Sequence, residues 1–216
     1  MNIPPIIEST PIPHRNHRWV WIVALCVFAL VLAISIPRAF LQTFFIPAGS
    51  MRPTLCEGDK VFANKDRYRT HEPKRCELVV FEAPARAVSM VGQPYDAGHP
   101  VMYVKRVIGL PGDHVKIVAG KGAYINGKLL TEPYIESPAD YDFPGGPHSD
   151  SAMRAQVQQY FDGDHAFLVP PDNYFVLGDN RNQSHDSHMW GLLPRSALRG
   201  KILRIFWPPE RAGEVH

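Results

Sequence analysis

Ser50 stands in a stretch whose residue types can present a nucleophile. The run from 44 to 55 reads F-F-I-P-A-G-S-M-R-P-T-L. Pro47 and Pro53 restrict the backbone on either side of the serine, and Gly49 supplies conformational freedom directly before it. These residues predict a stiff, irregular turn that holds Ser50 at the end of an apolar strand. A serine held in this way can attack a carbonyl carbon if a base removes its proton.

Lys105 is the candidate for that base. It lies in the predicted strand 101–109, where the alternation of side chains places Val101, Tyr103 and Val107 on its face. An unperturbed lysine has a pKa of about 10.4, so at pH 7 ~0.1% or less is neutral, but burial lowers that pKa by several units. Two alternatives stay open. The amine can reach solvent, or one of the ten histidines can be the base, although none lies in a recognisable Ser/His/Asp context.

The segment Trp19–Ile36 is apolar apart from Ser35 and carries no charge over 18 residues. That length meets the requirement for a transmembrane helix, at about 27 Å for a rise of about 1.5 Å per residue. A cleaved signal peptide has a shorter apolar core, and a core helix usually has a polar face, so a retained membrane anchor is favoured. Arg15 and Arg18 precede the segment and only Arg38 follows it closely, which places residues 1–18 in the cytoplasm and the rest outside.

The chain beyond this segment is predicted to be mainly β. Short apolar runs between turn signals indicate strands at 60–65, 77–81, 101–109, 114–118, 123–130, 166–169, 174–177 and 200–207. Residues 85–100 are predicted to be a loop. Residues 131–164 are polar and rich in breakers, which indicates an inserted cap in an extracytoplasmic domain at 43–207, whose core is 43–130 and 165–207. The net charge of +2 gives nucleic-acid binding no support.

The cysteines and histidines offer weaker signals. Cys26 lies in the apolar segment, whereas Cys56 and Cys76 lie where an oxidising compartment would allow a disulfide, and the sequence leaves their state open. No C-x-x-C pair is present, so zinc or redox chemistry is not expected. His185 and His188 flank an aspartate, but a third or fourth metal ligand is not evident, and no metal site is predicted.

Four motifs, taken together, resemble those of the bacterial type I signal peptidases, also called leader peptidases. They are I-P-A-G-S-M-R-P-T-L at 46–55, G-D-K-V-F-A-N-K at 58–65, Y-V-K-R-V-I-G-L-P-G-D at 103–113 and G-D-N-R-N-Q-S-H-D-S-H at 178–188. They occur in the family's order, and the resemblance covers residues 19–207. It implies a membrane anchor followed by a β-rich, signal-peptidase-like catalytic core that carries an inserted domain.

The resemblance also implies roles for individual residues. Ser50 matches the nucleophile, Lys105 the general base, and Ser184 the hydroxyl that hydrogen-bonds and orients the lysine amine. The backbone N–H of Ser50 matches one oxyanion donor. Structural support of the last motif is expected from Asp179, Arg181 and a charged pair formed by Asp186 and Arg106. Shallow walls that admit only small substrate side chains are expected from Phe44, Ile46, Pro47, Met51, Leu55, Tyr103 and Val104.

Two positions depart from the family pattern. Ala48 stands where the family commonly has a serine whose hydroxyl is a second oxyanion donor, and the loss of one such donor costs about 10²–10³ in rate in other hydrolases. His188 stands where the family usually has arginine, so Asp186 is expected to depend on Arg106 or on a protonated His188.

The function implied by the resemblance is removal of signal peptides from exported preproteins after small-x-small (Ala-x-Ala-like) sites, without a metal or organic cofactor. The expected location is the bacterial inner (plasma) membrane, in contact with the lipid bilayer, with the catalytic domain on the outer, periplasmic side. Two alternatives remain. One is a specialised relative that matures a single pilin or conjugation substrate. The other is a membrane-anchored module that binds exported peptides without cutting them, which Ala48 supports and the retention of the serine, the lysine and the last motif opposes.

Overall fold

The computed structural model describes residues 18–145, 160 and 166–215, and it divides the chain into two compact units, 1–39 and 40–216. The described part of the first unit, residues 18–39, belongs to helix α1 (Arg18–Phe40), whose last residue is counted with the second unit. Its large apolar side chains are exposed where they are described, as at Trp21 and Phe28. Among the described residues, no helix combines the length and the apolar character needed to cross a bilayer. The predicted cytoplasmic tail, apart from Arg18, lies outside the described residues.

The second unit is mainly β, as the sequence predicts, and its described residues also form three short α-helices. The strands are β1 (Leu41–Phe45), β2 (Lys60–Asn64), β3 (Leu78–Glu82), β4 (Met102–Gly109), β5 (His114–Val118), β6 (Gly122–Ile125), β7 (Lys128–Leu129), β8 (Phe167–Leu168), β9 (Asn173–Leu177), β10 (Leu193–Pro194), β11 (Leu198–Trp207) and β12 (Gly213–Glu214). The helices are α2 (Arg67–Thr70), α3 (Ala85–Met90) and α4 (Ser187–Trp190). Helix α3 corrects the prediction of a loop throughout 85–100, because no breaker occurs between Pro84 and Gly92.

A sheet of antiparallel strand pairs positions the four motifs. Its strand order is β1-β2-β11-β3-β4-β9-β10, and β12 pairs with β11. Successive residues of β3 belong to different hydrophobic clusters, since Val79 and Phe81 pack with Trp190 whereas Val80 packs with Ile202. Side chains of a strand alternate between faces, so both faces of this sheet are covered. The double coverage explains why β3 reads as a continuous apolar run.

A second sheet of order β7-β6-β5-β8 packs around its own cluster. Residues 139–143 of the predicted cap contribute to that cluster, because Ala139, Tyr141 and Phe143 are all buried. Phe143 also pairs with Ile117 of β5 through backbone hydrogen bonds of 2.7 and 3.0 Å. This part of the cap therefore has more core than its breaker-rich sequence predicts. Residues 146–159 and 161–165 of the cap lie outside the described residues.

Candidate active site

The Ser50 turn is held by backbone hydrogen bonds from both ends. Beyond β1, Ile46 donates to the carbonyl of Asp59 at 2.9 Å and accepts from Gly58 at 2.9 Å, which extends the pairing of β1 with β2. A single 3₁₀ turn, Gly49–Met51, then carries the serine, and the buried side chain of Met51 fixes its far end. The proline- and glycine-bearing run therefore forms the predicted irregular turn.

The last motif clasps the same turn from the other side. The backbone N–H of Asn180 donates to the Ser50 carbonyl at 3.2 Å, and its side-chain amide donates to the Gly49 carbonyl at 3.1 Å. These hydrogen bonds join the motif around Ser50 directly to the last motif, and the two bonded residues Gly49 and Asn180 are 131 positions apart in the sequence.

Lys105 reaches Ser50 from the middle of the sheet. It lies in β4 opposite Val79 of β3, is 3% exposed, and places Nζ 2.6 Å from Ser50 Oγ. Burial lowers the pKa of Lys105 to about 8, although the negative charges of Asp186 and Asp179 oppose that shift. A neutral amine in this position accepts the hydroxyl hydrogen, which is the arrangement that a lysine base requires. The strand face predicted to surround this lysine therefore provides the burial, and the solvent-reaching alternative does not hold.

Ser184 lies beside this pair without the predicted hydrogen bond. Its Oγ is buried and has no hydrogen-bond partner among the described residues. The neighbouring backbone is nevertheless close, because a Cβ added at Gly178 would collide with Ser184 Oγ and with the carbonyl of Ser50. The orienting role of Ser184 stays a prediction, and Gly178 emerges as the position that lets these two serines approach.

Replacing Gly178 by alanine is expected to move the Ser50 turn and to reduce any catalytic activity of Ser50 by about tenfold or more. The added methyl group must displace backbone at Ser50, and forced repacking of this kind costs about 1–3 kcal/mol. Gly213→Ala is the matched control, because a Cβ there has no neighbour within 4 Å. Activity and thermal stability of both variants would be compared. Wild-type activity in Gly178→Ala would contradict the close approach.

A buried ion pair supports the motifs around the serine. Arg106 binds the carboxylate of Asp179 with two hydrogen bonds of 2.8 and 2.6 Å, and both side chains are fully buried. Thr54 donates to the same carboxylate at 2.5 Å. The structure differs here from the predicted pairing, since Asp179 is the carboxylate that holds Arg106. The alternation in β4 places Arg106 on the face opposite to Lys105, beside a different aspartate of the last motif.

Asp186 is bound by the residue that departs from the family pattern. His188 Nδ1 lies 2.6 Å from Asp186 Oδ1. Of the two partners expected for Asp186, which are Arg106 and His188, this contact shows His188. Burial alone would raise the pKa of Asp186, but the charges of His188 and Lys105 and the hydrogen bonds of the carboxylate hold it below its usual value. An ionised carboxylate therefore lies next to the Lys105 site.

The cap contributes polar side chains that the sequence interpretation missed. Arg181 binds Glu132 through two hydrogen bonds of 2.9 and 2.5 Å, and this pair is buried. Tyr134 lies 3.7 Å from the Arg106 guanidinium, measured to the centroid of its ring. No periodic pattern marks Glu132 or Tyr134. Only the chemistry of the arginines could have pointed to these two residues, because a buried arginine needs a carboxylate or an aromatic face as its partner.

A cleft of about 520 Å³ opens at Ser50 and Lys105 between β1 and β4. Six of the seven predicted wall residues line it, namely Phe44, Ile46, Pro47, Met51, Tyr103 and Val104. Leu55 does not line it, because its side chain is fully buried in the cluster below the turn. The residues that line the cleft and were not predicted as its walls are Phe45, Gly49, Arg52, Glu57, Val80, Val91, Gln93, Val101, Met102, Gln183 and His185. Ala48 also faces the cleft, beside the Ser50 backbone.

The remaining candidate sites are reported for the described part of the chain. Cys26, Cys56 and Cys76 are free thiols. Cys56 Sγ lies 3.8 Å from the Pro53 carbonyl, and Cys76 Sγ lies 3.7 Å from the Tyr134 hydroxyl. No group of three or more His, Cys, Asp or Glu side chains among the described residues is placed to hold a metal ion.

Comparison with known proteins identifies the relatives of this chain. A family model described as "Signal peptidase, peptidase S26" matches residues 18–207. The chain is 39% identical to "Probable signal peptidase I-2" of a Synechocystis strain over 95% of this chain and 79% of that protein. It is 36% identical to "Signal peptidase I" of Leptolyngbya laminosa over 87% and 79%, and 34% identical to "Probable signal peptidase I-1" of the same Synechocystis strain over 97% and 93%. The chain therefore belongs to the signal peptidase family, peptidase S26.

Proposed function

We propose that this protein is a membrane-anchored serine endopeptidase that removes signal peptides from exported preproteins, with Ser50 as nucleophile and Lys105 as general base. The observation that carries the proposal is the distance of 2.6 Å between Lys105 Nζ and Ser50 Oγ in a place where the lysine is buried. Family membership supports the same reaction class.

In the proposed mechanism, neutral Lys105 takes the proton from Ser50 as Oγ attacks the scissile carbonyl carbon. The backbone N–H of Ser50 stabilises the negative charge that develops on the carbonyl oxygen. The lysine ammonium then protonates the leaving amine, and a water molecule, deprotonated again by Lys105, releases the acyl group from the serine. Ser184 is proposed to orient the amine during these transfers, because its buried hydroxyl lies on the same side of Gly178 as Ser50.

The shape of the cleft supports small-x-small specificity. An extended substrate can add as a strand between Phe44–Pro47 and Tyr103–Val104, with its carbonyl presented to Ser50. Apolar side chains line both sides of this path. Those of Ile46 and Met51 are buried, so they cannot move aside for a large substrate side chain. Small side chains before the scissile bond fit such walls better than large ones.

Membrane anchoring by 19–36 is proposed from the sequence and from side-chain exposure. The segment carries no charge, and the described large apolar side chains of α1 are exposed, Trp21 by 75% and Leu25 by 69%. Removing such surface from water stabilises the helix in lipid. The arginines before the segment support a cytoplasmic N-terminus and a catalytic unit on the outer side of the plasma membrane.

The test is cleavage of a preprotein that carries an Ala-x-Ala site by the full chain in detergent, with the cut identified by mass spectrometry. Wild type is expected to cut after the second alanine. Ser50→Ala is expected to show no cleavage through an acyl-enzyme, because it lacks the nucleophilic hydroxyl. Ser196→Ala serves as the matched control, since Ser196 is exposed and outside the cleft.

Two outcomes would replace the proposal. If wild type cuts no preprotein and a serine-directed acylating probe labels no Ser50, the chain is a peptide-binding module, the reading that Ala48 favours. If a broad panel of preproteins yields one substrate, the chain is a specialised maturation peptidase.

A further inference from the structure

His188 is a buried histidine that the proposed mechanism does not use. It is 5% exposed and lies in α4, and its Nδ1 is 2.6 Å from Asp186 Oδ1. Because an ionised carboxylate only accepts hydrogen bonds, Nδ1 carries the hydrogen and donates it. The backbone N–H of His188 donates to the same oxygen at 3.3 Å. One oxygen of Asp186 is therefore held twice by this residue.

The other oxygen of Asp186 reaches the Ser50 site through the backbone. Asp186 Oδ2 accepts the N–H of Gly178 at 2.9 Å. Gly178 packs against both Ser184 Oγ and the Ser50 carbonyl, with no room for a Cβ between them. The Asp186 carboxylate is thus linked through the Gly178 N–H to the point where the two serines meet.

The charge of Asp186 reaches the lysine as well. Its negative charge opposes the lowering of the Lys105 pKa by burial, and His188 is the main group that counteracts the burial of Asp186. Two basic side chains, Lys105 and His188, therefore share the field of one buried carboxylate. The more His188 offsets the negative charge of that carboxylate, the less the carboxylate stabilises the protonated form of Lys105.

We propose that His188 is a positioning residue of the active site, which acts through Asp186 to hold the Gly178 backbone and to favour the neutral, basic form of Lys105. This inference rests on the proposed function, because it takes Lys105 as the base. At a position where the family usually has arginine, the imidazole Nδ1 supplies the hydrogen-bond donor to the carboxylate.

Several titratable groups face His188 from the elements around it. The Tyr141 ring, from the cap, stacks on the imidazole with centroids 4.0 Å apart and planes at 18°. A cavity of about 250 Å³ lies beside the imidazole. The cavity is also lined by Asp140, Arg181, Asn182, Gln183, Ser184 and His185. Arg181 is bound to Glu132, and Asp186 is the acidic group that bonds the imidazole directly.

The experiment compares the pH dependence of kcat/KM for preprotein cleavage in wild type, His188→Leu and His188→Asn. Leucine removes the side-chain donor, whereas the asparagine amide places a donor near the position of Nδ1. His99→Gln is the matched control, because His99 also bonds an aspartate, Asp96, through Nδ1 but is 91% exposed at its side chain. Thermal unfolding of each variant is measured in parallel, and His188→Ala, which also lacks a side-chain donor, replaces the leucine variant if that protein does not fold.

We expect the acid limb of the profile to move to higher pH by about 0.5–1 unit in His188→Leu, which lowers kcat/KM at pH 7 by about three- to tenfold. His188→Asn is expected to restore most of this shift, and His99→Gln to behave as wild type. A purely structural role would lower the melting temperature and leave the acid limb in place, and that result would overturn the inference. If the proposed function itself is wrong, wild type cuts no preprotein, so the two failures are distinguishable.

Discussion

Replacing Lys105 by methionine is expected to reduce kcat/KM for preprotein cleavage by about 10²–10⁴-fold, the range that a general base contributes. Methionine fills the same apolar strand face but cannot accept the Ser50 proton, which Nζ is placed to take at 2.6 Å. Lys105→Arg is expected to be equally inactive at every pH, because a guanidinium stays protonated. Cleavage is measured with the preprotein assay described above, and Lys116→Met is the matched control for loss of an exposed strand lysine.

The wild-type pH profile follows from the same residue. Burial lowers the pKa of Lys105 from 10.5 to about 8, so roughly a tenth of the molecules hold the neutral base at pH 7. Activity is therefore expected to rise with pH and to level off above pH 8. Lowering the pH protonates the base and removes activity, since the protonated amine cannot take the serine proton.

Stability provides the control for folding of the Lys105 variant. A group whose pKa is lower in the folded state binds more protons in the unfolded state. The burial of Lys105 therefore destabilises the folded protein fully below pH 8, and this destabilisation disappears as the pH rises from about 8 to 10.5. Lys105→Met is consequently expected to be more stable than wild type at pH 7 by about 1–3 kcal/mol. An inactive variant that is also stabilised supports the base role. Substantial cleavage by Lys105→Met would assign the proton transfer to another group, such as a histidine.

The strand that carries Lys105 could be predicted because its signal is local. Residues 101–109 alternate in side-chain direction and end at a turn, and β4 occupies 102–109. The burial of Lys105 follows from the apolar neighbours that the same alternation provides. The Ser50 turn was predictable for a similar reason, since its prolines and glycine restrict the backbone within a few residues.

The contacts between distant segments could not be predicted in the same way. Leu55 is the last residue of the motif that carries Ser50, but its side chain lies in the cluster formed with Val61 and Ile202. Glu132 and Arg181 are separated by 49 residues and meet only because the second sheet brings the cap against the last motif. Contacts of this kind leave no periodic pattern in the sequence. A shift of strand pairing by one residue would bring different side chains together.

Asp179→Ala is expected to destabilise the protein by about 3–5 kcal/mol, the cost of leaving one partner of a buried ion pair alone. The substitution leaves the fully buried guanidinium of Arg106 without its bidentate acceptor and removes the acceptor of the Thr54 hydroxyl. Chemical denaturation at pH 7 measures the change. Arg69→Ala is the matched control, since the Arg69–Asp66 pair is exposed at the arginine by 80% and such pairs contribute about 0–1 kcal/mol.

A double variant separates charge from packing in this pair. Arg106→Met combined with Asp179→Leu removes both charges and keeps apolar volume, so it is expected to recover part of the stability that Asp179→Ala loses. Recovery would mean that the cost lies in the uncompensated charge of Arg106. A loss in Asp179→Ala no larger than that of Arg69→Ala would contradict the supporting role of the pair. The pair also anchors the strand residue next to Lys105, so the single variant is expected to lose cleavage activity together with stability.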